Sequence, residues 1–133
     1  TVPDAVQVGP KVCLINKYSA SDGDLFPWGF RALGLGKLIG TRTWGGIVGI
    51  SGSLPYMDGT DIRVPFFTSF DPKTGNWIIE NQGVDPDILI DNDPVKEWNG
   101  EDQQLDRAIQ EVMKELQNRK PLPGVPTPRD FSK

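Results

Sequence analysis

The chain has 133 residues, of which 37% are hydrophobic and 24% are charged, a balance typical of one globular domain. Its formal net charge is −4 and its Lys and Arg residues form no basic run, so nucleic acid is not expected as a partner. The longest apolar stretches are far shorter than the ~20 residues that cross a bilayer, so no membrane span is predicted.

The first predicted elements are a strand, a tight turn and a helix. Residues 11–16 are nearly all apolar, which is typical of a strand covered on both faces in an α/β sheet. A small, polar turn follows at 18–24, and residues 25–33 carry apolar side chains at helical spacing. Pro27 is tolerated only if the regular helix begins about there, and Gly34 stands where a left-handed C-cap belongs.

The middle of the chain is predicted to be rich in β-structure. A strand at 37–42 would be parallel to the first strand, and the helix between them completes a βαβ unit. The glycine-rich stretch 43–53 is either a bent strand or a place where the backbone closely approaches something else, a ligand being one candidate. Further strands are predicted at 62–67, 77–79 and 88–90.

The end of the chain contains the clearest helical pattern. Residues 101–118 carry an apolar stripe on one face, with acids in the first turn and bases after the last, and this stripe is expected to pack on the sheet. The proline-rich stretch 120–129 cannot be a helix or an inner strand. We therefore predict an α/β domain over 1–120 and a tail over 121–133.

Ser21 lies at the turn between the first strand and the first helix. At such a turn a hydroxyl is exposed at the sheet edge, and the next backbone N–H and the helix N-terminus can face a developing oxyanion. The plainer alternative is an N-cap, since Ser21 and Asp24 make a pattern like a capping box. A nucleophilic serine also needs a base, and with no His in the chain only Lys, a carboxylate or a group from elsewhere remains.

Other signals do not predict a cofactor or a metal. The GLGK sequence at 34–37 lacks the first glycine and the hydroxyl residue of a phosphate-binding loop. Four aspartates lie in one stretch without the glycine and glutamate of a calcium loop, and they are interpreted as solvated loop acids. With one Cys and no His, a zinc site is close to excluded. The four aspartates are Asp85, Asp87, Asp91 and Asp93.

Four stretches, at 9–16, 19–24, 33–46 and 80–88, resemble in order and spacing the C-terminal catalytic region of the tricorn core proteases. The resemblance covers about residues 9–116. It implies a partial domain with a crotonase-like or Clp-protease-like βαβ core. It further implies that Ser21 is the nucleophile of a serine peptidase and that the Asp22 backbone N–H is one oxyanion donor.

The resemblance also distinguishes two branches of the superfamily. The tail-specific branch activates its serine with a lysine, but this chain has Gly46 at that position. The tricorn branch takes its base from a Ser-His pair in an earlier part of the polypeptide, and a carboxylate at the position of Glu80 orients that pair. The chain is therefore expected to be a fragment that is inactive alone. Without the resemblance, Glu80 would be interpreted as a surface acid after a strand.

Trp44, Gly45 and Gly46 lie where family members place backbone near the bound peptide, so the resemblance implies substrate binding, by strand addition, for this stretch. The alternative is a β-bend with a core tryptophan. The expected partners are a peptide substrate, the upstream half of the polypeptide and further copies of the chain. A second hypothesis is a peptide-binding or assembly module without catalysis. Nothing in the sequence predicts the compartment.

Overall fold

The computed structural model describes residues 7–52 and 54–121, together with Gly124 and Thr127. The opening at 1–6 and most of the predicted tail at 121–133 lie outside the described residues. The elements are β1 (Val12–Ile15), α1 (Asp22–Ala32), β2 (Lys37–Gly40), β3 (Gly49–Gly52), β4 (Arg63–Phe67), β5 (Ile88–Leu89), α2 (Pro94–Trp98) and α3 (Gln103–Gln117). No helix within these described ranges has the length and apolar character needed to cross a bilayer.

A parallel sheet in the order β1-β2-β5 forms the centre of the molecule. This arrangement confirms the βαβ unit, since α1 connects two parallel neighbouring strands. Leu38 and Ile39 of the central strand β2 are fully buried. Ile15 and Leu38 pack with Phe30 of α1 and with Val84 in the core cluster, so α1 covers one face of the sheet. These contacts fix the turn between β1 and α1, where Ser21 lies.

Helix α1 begins earlier than the sequence predicts. The prediction placed its start near Pro27, but the helix begins at Asp22, and Pro27 is buried inside it. Pro27 cannot donate to the Gly23 carbonyl, but the first turn is stabilised independently, because the Asp24 carboxylate accepts a hydrogen bond from the Ser21 N–H. The predicted C-cap is confirmed, since Gly34 has a φ of 63° and follows the last helical residues.

Helix α3 contacts the other face of the sheet, but its apolar stripe packs less completely than predicted. Ala108 and Glu111 are buried, and Glu111 forms ion pairs with Lys37 of β2 and with Arg107, each at 2.6 Å. An open apolar groove of about 340 Å3 lies between the rest of the stripe and the Val12 and Leu14 side chains of β1. As a result Leu14 of β1 is 42% exposed, so the expectation that this strand is covered on both faces is wrong.

The β-rich middle differs from the sequence prediction in one strand. The strands β3 and β4 pair antiparallel, with a register shift after Gly49, and form a hairpin separate from the central sheet. Residues 77–79 are not a strand, because Trp77 makes only a single bridge to Phe70 and Ile79 has a positive φ of 34°. The short helix α2 was not predicted by the apolar pattern, since none of its residues is buried.

The four aspartates of residues 85–93 are exposed, as the sequence analysis suggested, but two of them also bind other parts of the chain. Asp87 accepts hydrogen bonds from the Leu38 N–H and from Arg31, and Asp93 caps the N-terminus of α2. Asp87 therefore holds the β5 region to β2 and to α1, while Asp93 stabilises α2. Within the described ranges, no group of three or more His, Cys, Asp or Glu side chains is arranged to hold a metal ion.

Candidate active site

Ser21 occupies a strained backbone conformation at the N-terminus of α1. Its φ and ψ angles are 56° and −113°, in a region that non-glycine residues rarely adopt. Two contacts hold the turn, because the Ser21 N–H donates to the Asp24 carboxylate at 3.0 Å and to the Gly46 carbonyl at 3.2 Å. The residue is exposed. Strain of this kind at a sharp turn from strand to helix is the backbone signature of a nucleophile elbow.

Asp22 is the first residue of α1, directly after Ser21. In residues 7–52 and 54–121, no acceptor is bonded to its backbone N–H. A free N–H at a helix N-terminus combines a hydrogen-bond donor with the positive end of the helix dipole. The geometry beside Ser21 is therefore suited to stabilise a negative oxygen.

A short segment without regular secondary structure, residues 44–48, runs beside the Ser21 turn. All five of its backbone N–H groups donate hydrogen bonds inside the chain. The Trp44 N–H donates to the Ser19 carbonyl, at 2.9 Å. The N–H groups of Gly45 and Gly46 donate to the Asp24 carboxylate at 2.8 and 3.1 Å. The segment is thus fixed on the side that faces the first turn of α1.

Glu80 holds the other half of this segment. Its Oε2 atom accepts from the Ile47 N–H at 2.7 Å and from the Val48 N–H at 3.0 Å. The backbone around Glu80 is sharply bent, since both neighbours, Ile79 and Asn81, have positive φ angles. Glu80 is half-buried. The alternative interpretation as a surface acid after a strand is therefore wrong, because the strand is absent and the carboxylate is bonded.

The glycines of the segment have different roles. Gly45 has a φ of 87°, and a Cβ atom there would lie 2.5 Å from the Gly83 backbone nitrogen. The close approach that the sequence indicated is thus made, in part, to the loop that carries Glu80. At Gly46 a Cβ would lie 2.2 Å from the Trp44 ring, which covers this residue. Trp44 is 67% exposed, so it is not the core tryptophan of the alternative interpretation.

Ser21, Trp44, Gly46 and Glu80 line one groove of about 620 Å3. These are four of the six predicted site residues; they come from three separate stretches of sequence, and the structure brings them together, whereas Asp22 and Gly45 are not among the lining residues. The groove also has an apolar wall, which the sequence analysis missed because the alternation in this hairpin indicated only strands. The wall consists of Val48, Gly49, Ile50, Pro65 and Phe67.

The sequence pattern of peptidase family S41 matches residues 3–90 of the chain. The chain is 46% identical over 110 residues to the tricorn protease of Thermoplasma acidophilum, which is 83% of this chain and 10% of that protein. It is 41% identical over 107 residues to tricorn protease homolog 1 of Streptomyces coelicolor, with 80% of this chain and 10% of that protein covered.

A solved structure is similar as well. The crystal structure of the tricorn protease superposes with a TM-score of 0.73 at 46% sequence identity, and the match covers 80% of this chain and 10% of that chain. The chain therefore spans about a tenth of the length of the relatives it matches.

Proposed function

Because the chain belongs to peptidase family S41, we propose that it supplies the nucleophile, Ser21, of a serine peptidase that cleaves peptides or oligopeptides. One observation carries the proposal: Ser21 lies exposed at the groove in a strained turn, beside the Asp22 N–H. Within the described residues this N–H has no acceptor, so it is able to bind an oxyanion. From the parallel βαβ arrangement and the similarity to the tricorn protease structure, we also propose that the sheet is part of a crotonase-like or Clp-protease-like core.

In the proposed reaction, the Ser21 Oγ attacks the carbonyl carbon of the scissile peptide bond and its proton passes to a base. The carbonyl electron pair moves onto oxygen, and the Asp22 N–H donates a hydrogen bond to that oxyanion. The bond from carbon to nitrogen then breaks, and the amine leaves with the proton returned by the base. The base then takes a proton from a water molecule, which attacks the resulting ester, and the Ser21 Oγ leaves with that proton as the acid product is released.

The base of this reaction comes, in our proposal, from a Ser-His pair of the polypeptide outside these 133 residues. The chain itself has no His, and Gly46 stands at the position of the lysine in the tail-specific branch. Glu80 would orient the pair. In support, its Oε2 is fixed by two N–H groups, while its Oε1 accepts no hydrogen bond within the described ranges and is able to receive one from a hydroxyl.

The peptide would contact side chains more than backbone. Every N–H from Trp44 to Val48 is already bonded inside the chain, which disfavours the strand addition that the resemblance implied. The exposed Trp44 ring and the apolar wall around Phe67 remain as contact surfaces for peptide side chains.

The test is peptide hydrolysis by the full polypeptide that contains this chain. Ser21→Ala removes the attacking oxygen, so we expect activity to fall by at least ~1,000-fold. Ser51→Ala is the matched control, because on β3 its side chain alternates with that of Ile50 and points away from the groove, and it should keep full activity. Hydrolysis that survives Ser21→Ala would remove Ser21 from the mechanism.

The same experiment separates the second hypothesis, a module that binds peptide without cleaving it. Unsubstituted polypeptide that binds peptide with measurable affinity, yet shows no turnover and does not react at Ser21 with a fluorophosphonate probe, would favour that module. Covalent labelling of Ser21 that is abolished by Ser21→Ala would favour the peptidase.

A further inference from the structure

Asp24 is a buried carboxylate that connects the Ser21 turn to the 44–48 segment. Its side chain is fully buried, with 0% exposure, yet it contacts no cation among the described residues. Burying an unpaired carboxylate is unfavourable unless hydrogen bonds replace its hydration. Here three backbone N–H groups do so, from Ser21, Gly45 and Gly46, at distances of 3.0, 2.8 and 3.1 Å.

The division of these bonds between the two carboxylate oxygens requires an acid. Oδ2 accepts from Ser21 and from Gly46, and Oδ1 accepts from Gly45. An asparagine has only one oxygen, so in either orientation its NH2 group would face at least one N–H donor. A carboxylate is the one side chain of this size that accepts at both ends, and the N-terminus of α1 further favours its negative charge.

We infer that Asp24 is a positioning residue, which holds Ser21 in its strained conformation and fixes the 44–48 segment against it. The inference rests on the proposed role of Ser21 as nucleophile. Strain of this kind is unfavourable and persists only where surrounding contacts over-determine the backbone. Asp24 supplies the side-chain contact to the Ser21 N–H and joins it to Gly46, whose carbonyl is the other acceptor of that N–H.

The test substitutes Asp24→Asn in the full polypeptide and measures kinetics, folding and amide exchange. We expect kcat to fall by at least ~100-fold and KM to rise by a much smaller factor, because the oxygen of Ser21 is displaced and the segment with Trp44 loosens while the apolar wall around Phe67 keeps its place. Labelling of Ser21 by a fluorophosphonate should slow by a similar factor. The amide protons of Ser21, Gly45 and Gly46 should exchange faster.

Glu111→Gln is the matched control, since Glu111 is also a buried acid but contacts Lys37 and Arg107 away from the groove. It should lower the thermal midpoint and leave kcat within about twofold. If Asp24→Asn and Glu111→Gln reduce kcat equally at matched loss of stability, Asp24 has only a structural role and the inference is wrong.

Two further outcomes keep this inference separate from the proposed function. If Ser21→Ala abolishes hydrolysis while Asp24→Asn retains it, Ser21 remains the nucleophile and the positioning role fails. If Asp24→Asn does not fold, amide hydrogen exchange of the unsubstituted polypeptide decides. Gly45 and Gly46 amides that exchange as fast as those of an open loop would show that Asp24 does not hold this segment. Slow exchange at both would support it, whether or not the polypeptide cleaves peptides.

Discussion

Gly45 shows how tightly the residues of the groove depend on one another. It has a positive φ, and its backbone touches the loop that carries Glu80. A side chain at this position is therefore disfavoured both by the backbone conformation and by lack of space. The left-handed conformation alone costs a non-glycine residue roughly 1–2 kcal/mol. The contact adds to this, because a Cβ would lie 2.5 Å from the Gly83 nitrogen and backbone must move to admit it.

Gly45→Ala is therefore expected to lower the free energy of unfolding by more than ~2 kcal/mol and to reduce peptide hydrolysis, since Glu80 moves with its loop. Gly75→Ala is the matched control. Gly75 also has a positive φ, of 72°, but a Cβ there meets no atom within 4 Å. Denaturant unfolding and activity assays of both variants check this. Equal losses in the two variants would contradict the role assigned to the contact with Gly83.

At this scale the sequence predicts candidate site residues but not how they are held. The turn after an apolar strand indicates Ser21, and the resemblance indicates Glu80 and Asp22. Asp24 appeared only as part of a cap, because its partners Gly45 and Gly46 lie more than twenty residues away along the chain. The positive φ of Ser21 is equally invisible in the sequence, since it depends on those distant contacts.

Helix α3 is tied to the sheet by one buried acid. Glu111 accepts hydrogen bonds from Lys37 of β2 and from Arg107. The hydrogen bond from Lys37 lowers the pKa of Glu111 below its usual 4.5, and the charges of Lys37, Arg107 and Lys114 act in the same direction against the opposing effect of burial. A carboxyl with a lowered pKa in the folded state stabilises that state when it is ionised.

This tie predicts a dependence of stability on pH. The contribution of Glu111 is fully present above about pH 4.5 and is lost as the pH falls through its lower pKa in the folded protein. Glu111→Gln should therefore lower the thermal midpoint at pH 7, and the difference from the unsubstituted protein should shrink towards pH 3. Asp106→Asn, an exposed acid on the same helix, is the control and should leave the difference small at every pH. A constant difference for Glu111→Gln would contradict the assignment.

Elements with strong apolar periodicity were predicted well. The strands at β1, β2, β4 and β5 and the helix α3 lie within or close to their predicted bounds. The predictions are wrong where local polar contacts determine where a helix forms or begins. At the start of α1, for example, the Asp24 carboxylate stabilises a first turn ahead of Pro27. The missed helix α2 likewise depends on its Asp93 cap and on Pro94 at its first position.

Within the described residues, apolar surface is uncovered at the groove between β1 and α3 and at the hairpin of β3 and β4, where Phe66 is 77% exposed. A two-stranded hairpin is only marginally stable in water without packing against other structure. Large exposed apolar patches of this kind usually mark contacts with other protein. The rest of a longer polypeptide, or further copies of the chain, would provide such contacts.

The 133-residue chain on its own is therefore expected to self-associate in solution, and light scattering over a range of concentrations measures this. Phe66→Lys should shift the equilibrium towards monomer because it places a charge on the hairpin. Leu33→Lys is the control, since Leu33 is 74% exposed but lies at the C-cap of α1 and lines neither of these apolar surfaces. A stable monomer at all concentrations, or an equal effect of the two substitutions, would contradict this prediction.

The α/β fold class could be predicted at this scale, because composition and the βαβ pattern are properties of long stretches of the sequence. The place of the hairpin could not, since its strands pair only with each other and no local signal says what covers them.

The 44–48 segment is bonded to Asp24 at one end and to Glu80 at the other, and the Trp44 ring lies over its centre. A shift of that indole would displace the backbone beneath it and disturb the hydrogen bonds to both carboxylates. Trp44 therefore couples the turn at Ser21 to the loop that carries Glu80, although the two lie almost sixty residues apart along the chain.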